Sequence, residues 1–185
     1  YVSNVDVTLI VTDDGIDFTK YQIDSGGWQE YTTPFTISSE GIHTLRYYSQ
    51  DNARNTETVH SVEIKIDKTA PSIENVKVLP IVQLLNGYVN ITCDIVDIST
   101  QGVKVNITKY PNEPVINTTM ISTDSITYYF NATYDEEGIY DFFIWVEDES
   151  GHSSISYSYM FYICNLTSES EVSCGENNIT SEDIG

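Results

Sequence analysis

Apolar and polar residues alternate along most of this chain. The two clearest runs, residues 5–13 and 89–97, carry an apolar residue at every second position, and each ends at an aspartate. Strict alternation gives a strand one buried and one solvated face, which is the pattern of antiparallel sandwich strands. Because no long segment has a helical period, the pattern predicts an all-β chain.

An internal repeat organises these strands. Glu40-Gly41-Ile42 recurs as Glu137-Gly138-Ile139, and at the same offset of 97 residues Asp51 corresponds to Asp148. In both copies a glycine begins a strand, an aspartate ends it, and a short polar turn leads to another strand, which predicts a hairpin of the last two sandwich strands. The two alternating runs match at an offset of 84, so the second copy is 13 residues longer in its middle.

The repeat predicts an all-β chain of two tandem Ig-like antiparallel β-sandwich domains. We place the first domain at residues 1–68, a short linker containing Pro71 at 69–72, the second domain at 73–165, and an acidic flexible tail or linker at 166–185. Proline fixes its own φ and restricts the residue before it, so the linker should be extended. The low hydrophobicity of the tail favours mobility.

The second domain has seven alternating segments separated by turns, as in a complete Ig-like sandwich. We predict its strands at residues 73–79, 87–97, 103–110, 114–122, 126–134, 139–148 and 155–164. The residues expected to point inward are Val89, Ile91, Ile95, Val105, Tyr128, Phe130, Tyr140, Phe142, Ile144, Tyr159 and Phe161.

The first domain has no segment that corresponds to the opening strand of the second. Its first alternating run already matches the second strand of the other copy, so one sheet edge should be open. We expect the missing strand to lie upstream of Tyr1 or to come from another chain, since an open edge is a template for pairing. The chain opens on Tyr1-Val2-Ser3 instead of a basic and then apolar leader, so we interpret it as a piece of a longer polypeptide.

Charge narrows the range of functions. The chain has 28 acidic and 8 basic residues, for a formal net charge of −20. This charge disfavours nucleic acid and anionic membrane surfaces as partners, because the Coulomb interaction with a polyanion would be repulsive. The sequence also contains no transmembrane segment, since no apolar run approaches the roughly 18–20 residues needed to cross a bilayer.

Several motifs within residues 1–71 together resemble a known family. They are YQIDSGGWQEY at residues 21–31, Pro34-Phe35, EGIHTL at 40–45, DNARN at 51–55 and IKIDKTAP at 64–71. With these motifs, residues 1–71 resemble the prokaryotic Ig-like surface repeats of the type named after a leptospiral outer-membrane protein. Arg54 stands where that family usually has glycine, and the opening strand of the family would precede Tyr1.

Residues 72–165 are similar only in general terms to archaeal and bacterial Ig-like domains. The resemblance implies an Ig-like fold and a spacer or attachment role. Proteins with such repeats include large surface proteins, adhesins and polysaccharide-degrading enzymes. The resemblance carries over no catalytic residues.

Six N-glycosylation sequons lie in the second domain and the tail, at Asn90, Asn106, Asn117, Asn131, Asn165 and Asn178. Asn90, Asn106 and Asn131 fall on the predicted outward faces of their strands, where a glycan has room. Occupied sequons would place the protein outside a cell. The alternative is that a sequence rich in Asn and Thr produces the N-x-Ser/Thr pattern by chance.

The three cysteines allow two pairings that use Cys164. A Cys164–Cys174 disulfide would close a short loop and tie the tail to the last strand, whereas Cys93–Cys164 would join two core strands. We favour the first pairing, because Cys93 is in phase with buried residues and can serve as a small hydrophobe, while Cys164 is predicted to face outward.

Acidic residues cluster at residues 13–17, 135–137 and 147–149. Calcium takes six to eight oxygen ligands, which acidic loops can supply, but no cluster has the spacing of an EF-hand. The alternative is solvated turns, in which we expect Asp51 and Asp148 to order the backbone after their strands. We therefore predict no cofactor and keep calcium as a hypothesis.

The histidines, His43, His60 and His152, belong to no catalytic or zinc-binding motif, and the sequence has no nucleophile elbow or phosphate loop. We therefore predict no enzymatic activity, and we expect His43 to be a hydrogen-bonded core histidine. Trp28, Tyr31 and Trp145 are candidate contact aromatics that could stack on a carbohydrate or dock a subunit. The alternative is that they pack between domains or cover edge strands.

These features predict a structural module of a cell-surface or extracellular glycoprotein, such as an archaeal-type S-layer-like, envelope or filament subunit. It would act as a spacer and self-assembly element, with neighbouring domains or subunits as partners. The alternative is a carbohydrate- or host-binding module of an adhesin or secreted hydrolase.

Overall fold

The computed structural model describes residues 1–13, 15–111, 113–168, 171–174 and 177–180. The described residues form strands and turns, so the all-β prediction is confirmed. Among them there is no helix with the length and apolar character that a membrane span requires. The chain divides into two compact units, Tyr1–Thr69 (unit 1) and Ala70–Gly185 (unit 2).

Six strands lie in the described part of unit 1. They are β1 (Val5–Val7), β2 (Ile16–Ile23), β3 (Gln29–Glu30), β4 (Phe35–Ile37), β5 (Gly41–Asp51) and β6 (His60–Ile66). Strands β1 and β4 pair in one small sheet, and the other sheet has the order β3-β2-β5-β6. The small core between them consists of Val7, Ile37, Leu45, Ile64 and Ile66.

The first strand of unit 1 is shorter than the alternation predicted. β1 ends at Val7 instead of near Asp13, and the side chains of Ile10 and Val11 are 83% and 40% exposed. Alternation specifies which face of a strand would be buried, but a strand also needs a neighbour for its backbone hydrogen bonds. Within the described part of unit 1, β1 pairs only with β4 and only over three residues.

Unit 2 contains twelve strands among its described residues. They are β7 (Ser72–Leu79), β8 (Val82–Leu84), β9 (Tyr88–Val96), β10 (Thr100–Lys109), β11 (Glu113–Thr119), β12 (Ile121–Ser122), β13 (Thr127–Thr133), β14 (Gly138–Asp148), β15 (Ser153–Ile155), β16 (Tyr159–Ser168), β17 (Glu171–Cys174) and β18 (Asn177–Thr180). One sheet has the order β12-β13-β9-β7. The other has the order β11-β10-β14-β16-β17-β18, with β15 on β14 and β8 parallel to β16.

Unit 2 has the two-sheet arrangement of an Ig-like sandwich, and all seven predicted strands are present. The segment predicted as one strand at 114–122 divides into β11 and β12, which belong to different sheets. The predicted inward residues of β9, β10, β14 and β16 are buried, apart from the half-buried Tyr159. Like Tyr159, Tyr128 and Phe130 of β13 are partly buried against the core.

Part of the segment predicted as a flexible tail or linker, 166–185, lies in strands. β16 continues to Ser168, and β17 and β18 extend its sheet by two antiparallel strands. The prediction rested on low hydrophobicity, but a strand added to a sheet edge is held by backbone hydrogen bonds and needs few apolar side chains. Residues 169–170, 175–176 and 181–185 lie outside the described part of the chain.

The repeated turn after β5 and β14 has the same hydrogen bonds in both units. The Asp51 carboxylate accepts from the Asn55 backbone amide (2.8 Å) and side-chain amide (2.7 Å). The Asp148 carboxylate accepts from the His152 backbone amide (2.9 Å) and pairs with the His152 ring at 2.9 Å. The prediction that both aspartates order these turns is confirmed, and the hydrogen bonds from Asn55 lower the pKa of Asp51.

Arg54 should weaken unit 1 slightly, because it has a left-handed φ of 70° at the position where unit 2 has Gly151 with a φ of 88°. A left-handed conformation costs a non-glycine residue about 1–2 kcal/mol, and glycine avoids this cost. Glycine instead loses about 0.5–1 kcal/mol on folding, because its backbone has more conformational freedom in the unfolded chain. We therefore expect Arg54→Gly to stabilise unit 1 by roughly 0.5–1 kcal/mol. The reciprocal Gly151→Arg should destabilise unit 2 by a similar amount, since a Cβ at Gly151 would meet no atom within 4 Å.

Tryptophan fluorescence can measure the two changes separately. The two tryptophans, Trp28 and Trp145, lie one in each unit, so Trp145→Phe leaves a reporter of unit 1 and Trp28→Phe leaves a reporter of unit 2. Urea unfolding of each exchange in its matching background gives the two free energies. If Arg54→Gly and Gly151→Arg changed the free energy of unfolding of their units in the same direction, backbone strain at Arg54 would be contradicted.

Candidate functional surfaces

Four of the six sequon asparagines form two cross-strand pairs on unit 2. Asn90 of β9 lies directly opposite Asn131 of β13 in one sheet. Asn106 of β10 lies directly opposite Asn117 of β11 in the other sheet. Asn90, Asn117 and Asn131 are exposed, and Asn106 is half-buried. The sequons therefore lie on both sheets of unit 2.

Direct cross-strand neighbours have Cβ atoms about 4.5–5.5 Å apart, so two glycans of one pair would compete for the same space. Asn106 also lies opposite Phe143 of β14, which places an aromatic side chain beside this sequon. Of the remaining two, Asn165 is exposed on β16, and Asn178 lies on β18 with its side chain outside the described part.

The cysteines fall into one bonded pair and one free thiol. The antiparallel register of β16 and β17 brings Cys174 opposite Cys164, and the two form a disulfide. Cys93 is free and buried in the core, as its strand phase predicted. Burial raises the pKa of its thiol to about 12, so the group is a neutral hydrophobe at physiological pH.

Of the three predicted contact aromatics, Trp28 and Tyr31 lie in unit 1 and Trp145 lies in unit 2. Trp28 is 40% exposed, and its ring meets Tyr48 edge-to-face at 4.8 Å, with Phe18 on Tyr48 at 5.9 Å. Phe18, Trp28 and Tyr48 together are here named the outer aromatic cluster. The sequence analysis did not name Phe18 and Tyr48 as contact residues. Both alternate with inward residues of their strands, and this alternation could have placed them on the outer face.

Tyr31 and Trp145 have other environments. The Tyr31 ring contacts Phe35 and Tyr21, and its hydroxyl accepts a hydrogen bond from the Leu9 amide (3.1 Å). Trp145 is half-buried in unit 2, with the Lys104 ammonium 5.3 Å from its ring centroid. Tyr31 therefore helps to hold the chain after β1, and Trp145 makes a cation–π contact.

His43 is a buried, hydrogen-bonded histidine, as predicted. Its Nδ1 lies 2.9 Å from the Asp24 carboxylate, and its Nε2 lies 3.0 Å from the Ser39 carbonyl. The hydrogen bond with Asp24 raises the pKa of His43, with a further contribution from Ser39. The same hydrogen bond lowers the pKa of Asp24, with a second contribution from the Thr44 amide.

The melting temperature of unit 1 should therefore depend on pH. His43 stabilises the fold below its ordinary pKa of 6.5, and this stabilisation is lost as the pH rises through the raised pKa. Asp24 stabilises it above its ordinary pKa of 3.8, and this is lost as the pH falls. We expect the highest melting temperature between these values. His43→Gln should remove the decline of the melting temperature above pH 6.5, and the control His60→Gln should retain it. If the decline is unchanged in His43→Gln, His43 is not its cause.

Several acidic side chains of the predicted clusters are engaged within the protein. Asp13 accepts from the Gly15 amide (2.9 Å), Glu136 forms an ion pair with Lys109, and both carboxylate oxygens of Asp148 bind its turn. The ion pair lowers the pKa of Glu136. Asp14 lies outside the described residues, and calcium binding stays a prediction that a titration of melting temperature can test.

Unit 1 has an open groove beside the end of β1. The groove has a volume of about 590 Å³ and lies between residues 8–13 and the facing ends of β5 and β6. Its walls include Leu9, Val11 and Tyr47. Strand β6 is the edge of its sheet within the described residues.

The chain is similar to several solved structures. A tetra-tandem repeat in the extending region of a large adhesion protein matches at a TM-score of 0.52 and 18% identity, covering 88% of this chain and 45% of that one. The D00–D0 domain of intimin matches at 0.42 and 13%, covering 86% of this chain and 92% of that one. A titin I-band fragment matches at 0.48 and 12%, covering 83% and 56%.

No protein-family model matches the chain, and no curated protein matches it. At these identities the likeness concerns the fold alone. The fold class is thus an all-β, Ig-like sandwich in tandem, and the leptospiral-type family of unit 1 stays a prediction.

Proposed function

We propose that this chain is a structural module of a cell-surface or extracellular glycoprotein, such as an S-layer-like, envelope or filament subunit, and that it acts as a spacer and self-assembly element. The observation that carries the proposal is the placement of sequons on both sheets of unit 2. Glycans on both faces would leave unit 2 no broad binding face and would suit a shielded spacer.

Two further observations support an extracellular setting. The Cys164–Cys174 disulfide is typical of oxidising compartments, and a net charge of −20 keeps a surface protein soluble while repelling polyanions. We propose no catalytic role. The His43 ring is hydrogen-bonded to the Asp24 carboxylate, the His152 ring is hydrogen-bonded to the Asp148 carboxylate, and the His60 ring stacks on Tyr47.

Surface labelling of the source cells tests the proposal. A membrane-impermeant amine reagent should modify the lysines of this chain on intact cells, and the protein should fractionate with the envelope or an extracellular filament. An internal protein of the same cells is the control for leakage. Recovery of the chain as an unlabelled, detached monomer would contradict the proposal.

Carbohydrate binding is the second candidate function, and the outer aromatic cluster favours it. Exposed aromatic rings can stack on sugar faces, and Trp28 is the most exposed ring of the cluster. A glycan array with hits that disappear in Trp28→Ala and persist in Trp145→Ala would promote this candidate. An array without hits would remove it.

A further inference from the structure

Strand β14 is apolar on both of its faces. Its even-numbered residues from 140 to 146 lie in the core of unit 2, while its outward residues include Ile139, Phe143 and Trp145. A strand with one solvated face alternates apolar with polar residues, whereas a continuous apolar run is typical of a strand that is covered on both faces. The outward residues of β14 are half-buried. Their composition therefore favours a further cover on the outer face of this strand.

The sequon at Asn106 lies directly beside this outer face. Strand β10 pairs antiparallel with β14, and the register places Asn106 opposite Phe143 and Lys104 opposite Trp145. Side chains that are directly opposite have Cβ atoms about 4.5–5.5 Å apart, and diagonal neighbours lie about 7–8 Å apart. Asn106 therefore has Phe143 as its direct neighbour and Trp145 as a diagonal neighbour.

The Phe143 ring has room for a sugar. Among the described residues, it takes part in none of the aromatic ring pairs of unit 2, which join core residues such as Phe142 and Tyr159. The ring of Trp145 instead has the Lys104 ammonium 5.3 Å from its centroid. Because Asn106 is half-buried, a sugar attached to it begins close to the surface of the sheet.

We propose that the first sugar of a glycan on Asn106 stacks on the Phe143 ring and covers the outer face of β14. The face of an aromatic ring is electron-rich, and the C–H bonds on one side of a pyranose present an apolar, weakly positive surface to it. Transfer from a diphosphate-linked sugar donor forms the bond from Asn106 Nδ2 to sugar C1, breaks the bond from C1 to phosphate and releases an amide proton. The inference rests on the proposed glycoprotein role and gives one of its glycans a structural contact.

Asn117 provides a matched comparison within the same sheet. It lies opposite Asn106 on the side away from β14, and among the described strands β11 pairs only with β10. Neighbouring strands lie about 4.7–4.9 Å apart, so Asn117 is one strand farther from Phe143 than Asn106 is. The first sugar on Asn117 should therefore project from the sheet without contacting this ring.

Melting temperatures of sugar-bearing and sugar-free forms measure the contact. The full chain is secreted from a eukaryotic host, and an endoglycosidase trims each glycan to one N-acetylglucosamine. Thr119→Ala removes the sequon at Asn117 and retains the one at Asn106, whereas Thr108→Ala does the reverse. The same variants made in a host that adds no sugar give the intrinsic effect of each substitution.

The sugar should raise the melting temperature of unit 2 more in Thr119→Ala than in Thr108→Ala, by about 2–5 °C. Trp145 fluorescence in the Trp28→Phe background follows unit 2 alone. The other four sequons are the same in both variants, so their sugars cancel in this comparison. Phe143→Leu keeps an apolar side chain but removes the ring, and it should abolish the difference.

Tyr162→Leu is the control for Phe143→Leu. Tyr162 is also a half-buried aromatic residue, but it lies on β16, which is separated from β10 by β14, so its loss should leave the difference unchanged. NMR tests the contact in the protein with Phe143 intact. The N-acetyl methyl resonance of the sugar on Asn106 should be shifted upfield by the aromatic ring, and the shift should disappear in Phe143→Leu.

Equal effects of the sugar in Thr119→Ala and Thr108→Ala would overturn the inference, and so would an N-acetyl methyl resonance at the position of the free sugar. An Asn106 that stays unmodified both in the native source and in the eukaryotic host would overturn it as well. If the other sequons carry glycans and the chain is labelled on intact cells, the proposed function stands although this inference fails. The two failures are therefore distinguishable.

Discussion

Phe161→Ala should lower the free energy of unfolding of unit 2 by about 3–5 kcal/mol, the range observed when a buried phenylalanine is truncated. Phe161 is fully buried on β16. Its ring stacks on Tyr140 at 5.1 Å and contacts Tyr134 at 5.2 Å and Phe142 at 6.2 Å. The truncation removes these contacts and leaves a cavity in a close-packed core, and the surrounding side chains relax into such a cavity only partially.

Urea unfolding in the Trp28→Phe background, followed by Trp145 fluorescence, measures this loss in unit 2. Tyr157→Ala is the matched control, because Tyr157 is an aromatic residue of the same unit that is 86% exposed, and its loss should change the free energy by less than about 0.5 kcal/mol. A loss below about 1 kcal/mol for Phe161→Ala would contradict its position in the core.

Removing the disulfide should release β17 and β18 while the sandwich stays folded. The double variant Cys164→Ala/Cys174→Ala opens a loop with a sequence separation of 10, for which a disulfide contributes about 3 kcal/mol in the chain-entropy model. β17 pairs only with β16 and β18 among the described strands. Without the covalent link, few apolar contacts hold this hairpin in place.

Hydrogen exchange measures the release. Amides of residues 171–174 and 177–180 should lose most of their protection, while amides of β9 and β14 keep theirs. Cys93→Ala is the control, since it removes a buried sulfur from the core and leaves the hairpin attached. Unchanged protection of the hairpin in the double variant would show that the disulfide does not hold it.

The sequence predicted the fold of unit 2 well because each of its seven main strands carries its own alternation. Tyr140, Phe142 and Ile144 read as one inward face of a strand, and this face lies in the core. The repeated Asp turn could also be predicted from the sequence, because the aspartate carboxylate binds backbone amides only two to four residues ahead of it.

The prediction failed where structure depends on partners that are distant along the chain. Val11 alternates as well as Val7 does, yet it is not in a strand, because strand formation at residues 8–13 requires a neighbouring strand. The assignment of β11 and β12 to different sheets depends on how the chain crosses between sheets, which alternation does not encode. The strands β17 and β18 depend on a disulfide and on backbone pairing, neither of which raises hydrophobicity.

The sequon asparagines and the outer aromatic cluster were likewise predicted only in part. Strand phase placed Asn90, Asn106 and Asn131 outward, but only the register revealed that Asn90 faces Asn131 and that Asn106 faces Asn117. Register depends on how two strands align across a loop. The outer aromatic cluster was missed for the same reason, since the pairing of β2 with β5 brings Phe18 near Tyr48, and the pairing of β2 with β3 brings the adjacent Trp28 to the same site.

Glycopeptide mapping of the protein purified from its native source tests the central claim most directly. A surface glycoprotein module predicts glycans on both sheets of unit 2, on at least one asparagine of the Asn90/Asn131 pair and one of the Asn106/Asn117 pair. Crowding within each pair predicts that few molecules carry both members. Six unmodified asparagines in native material would contradict the account.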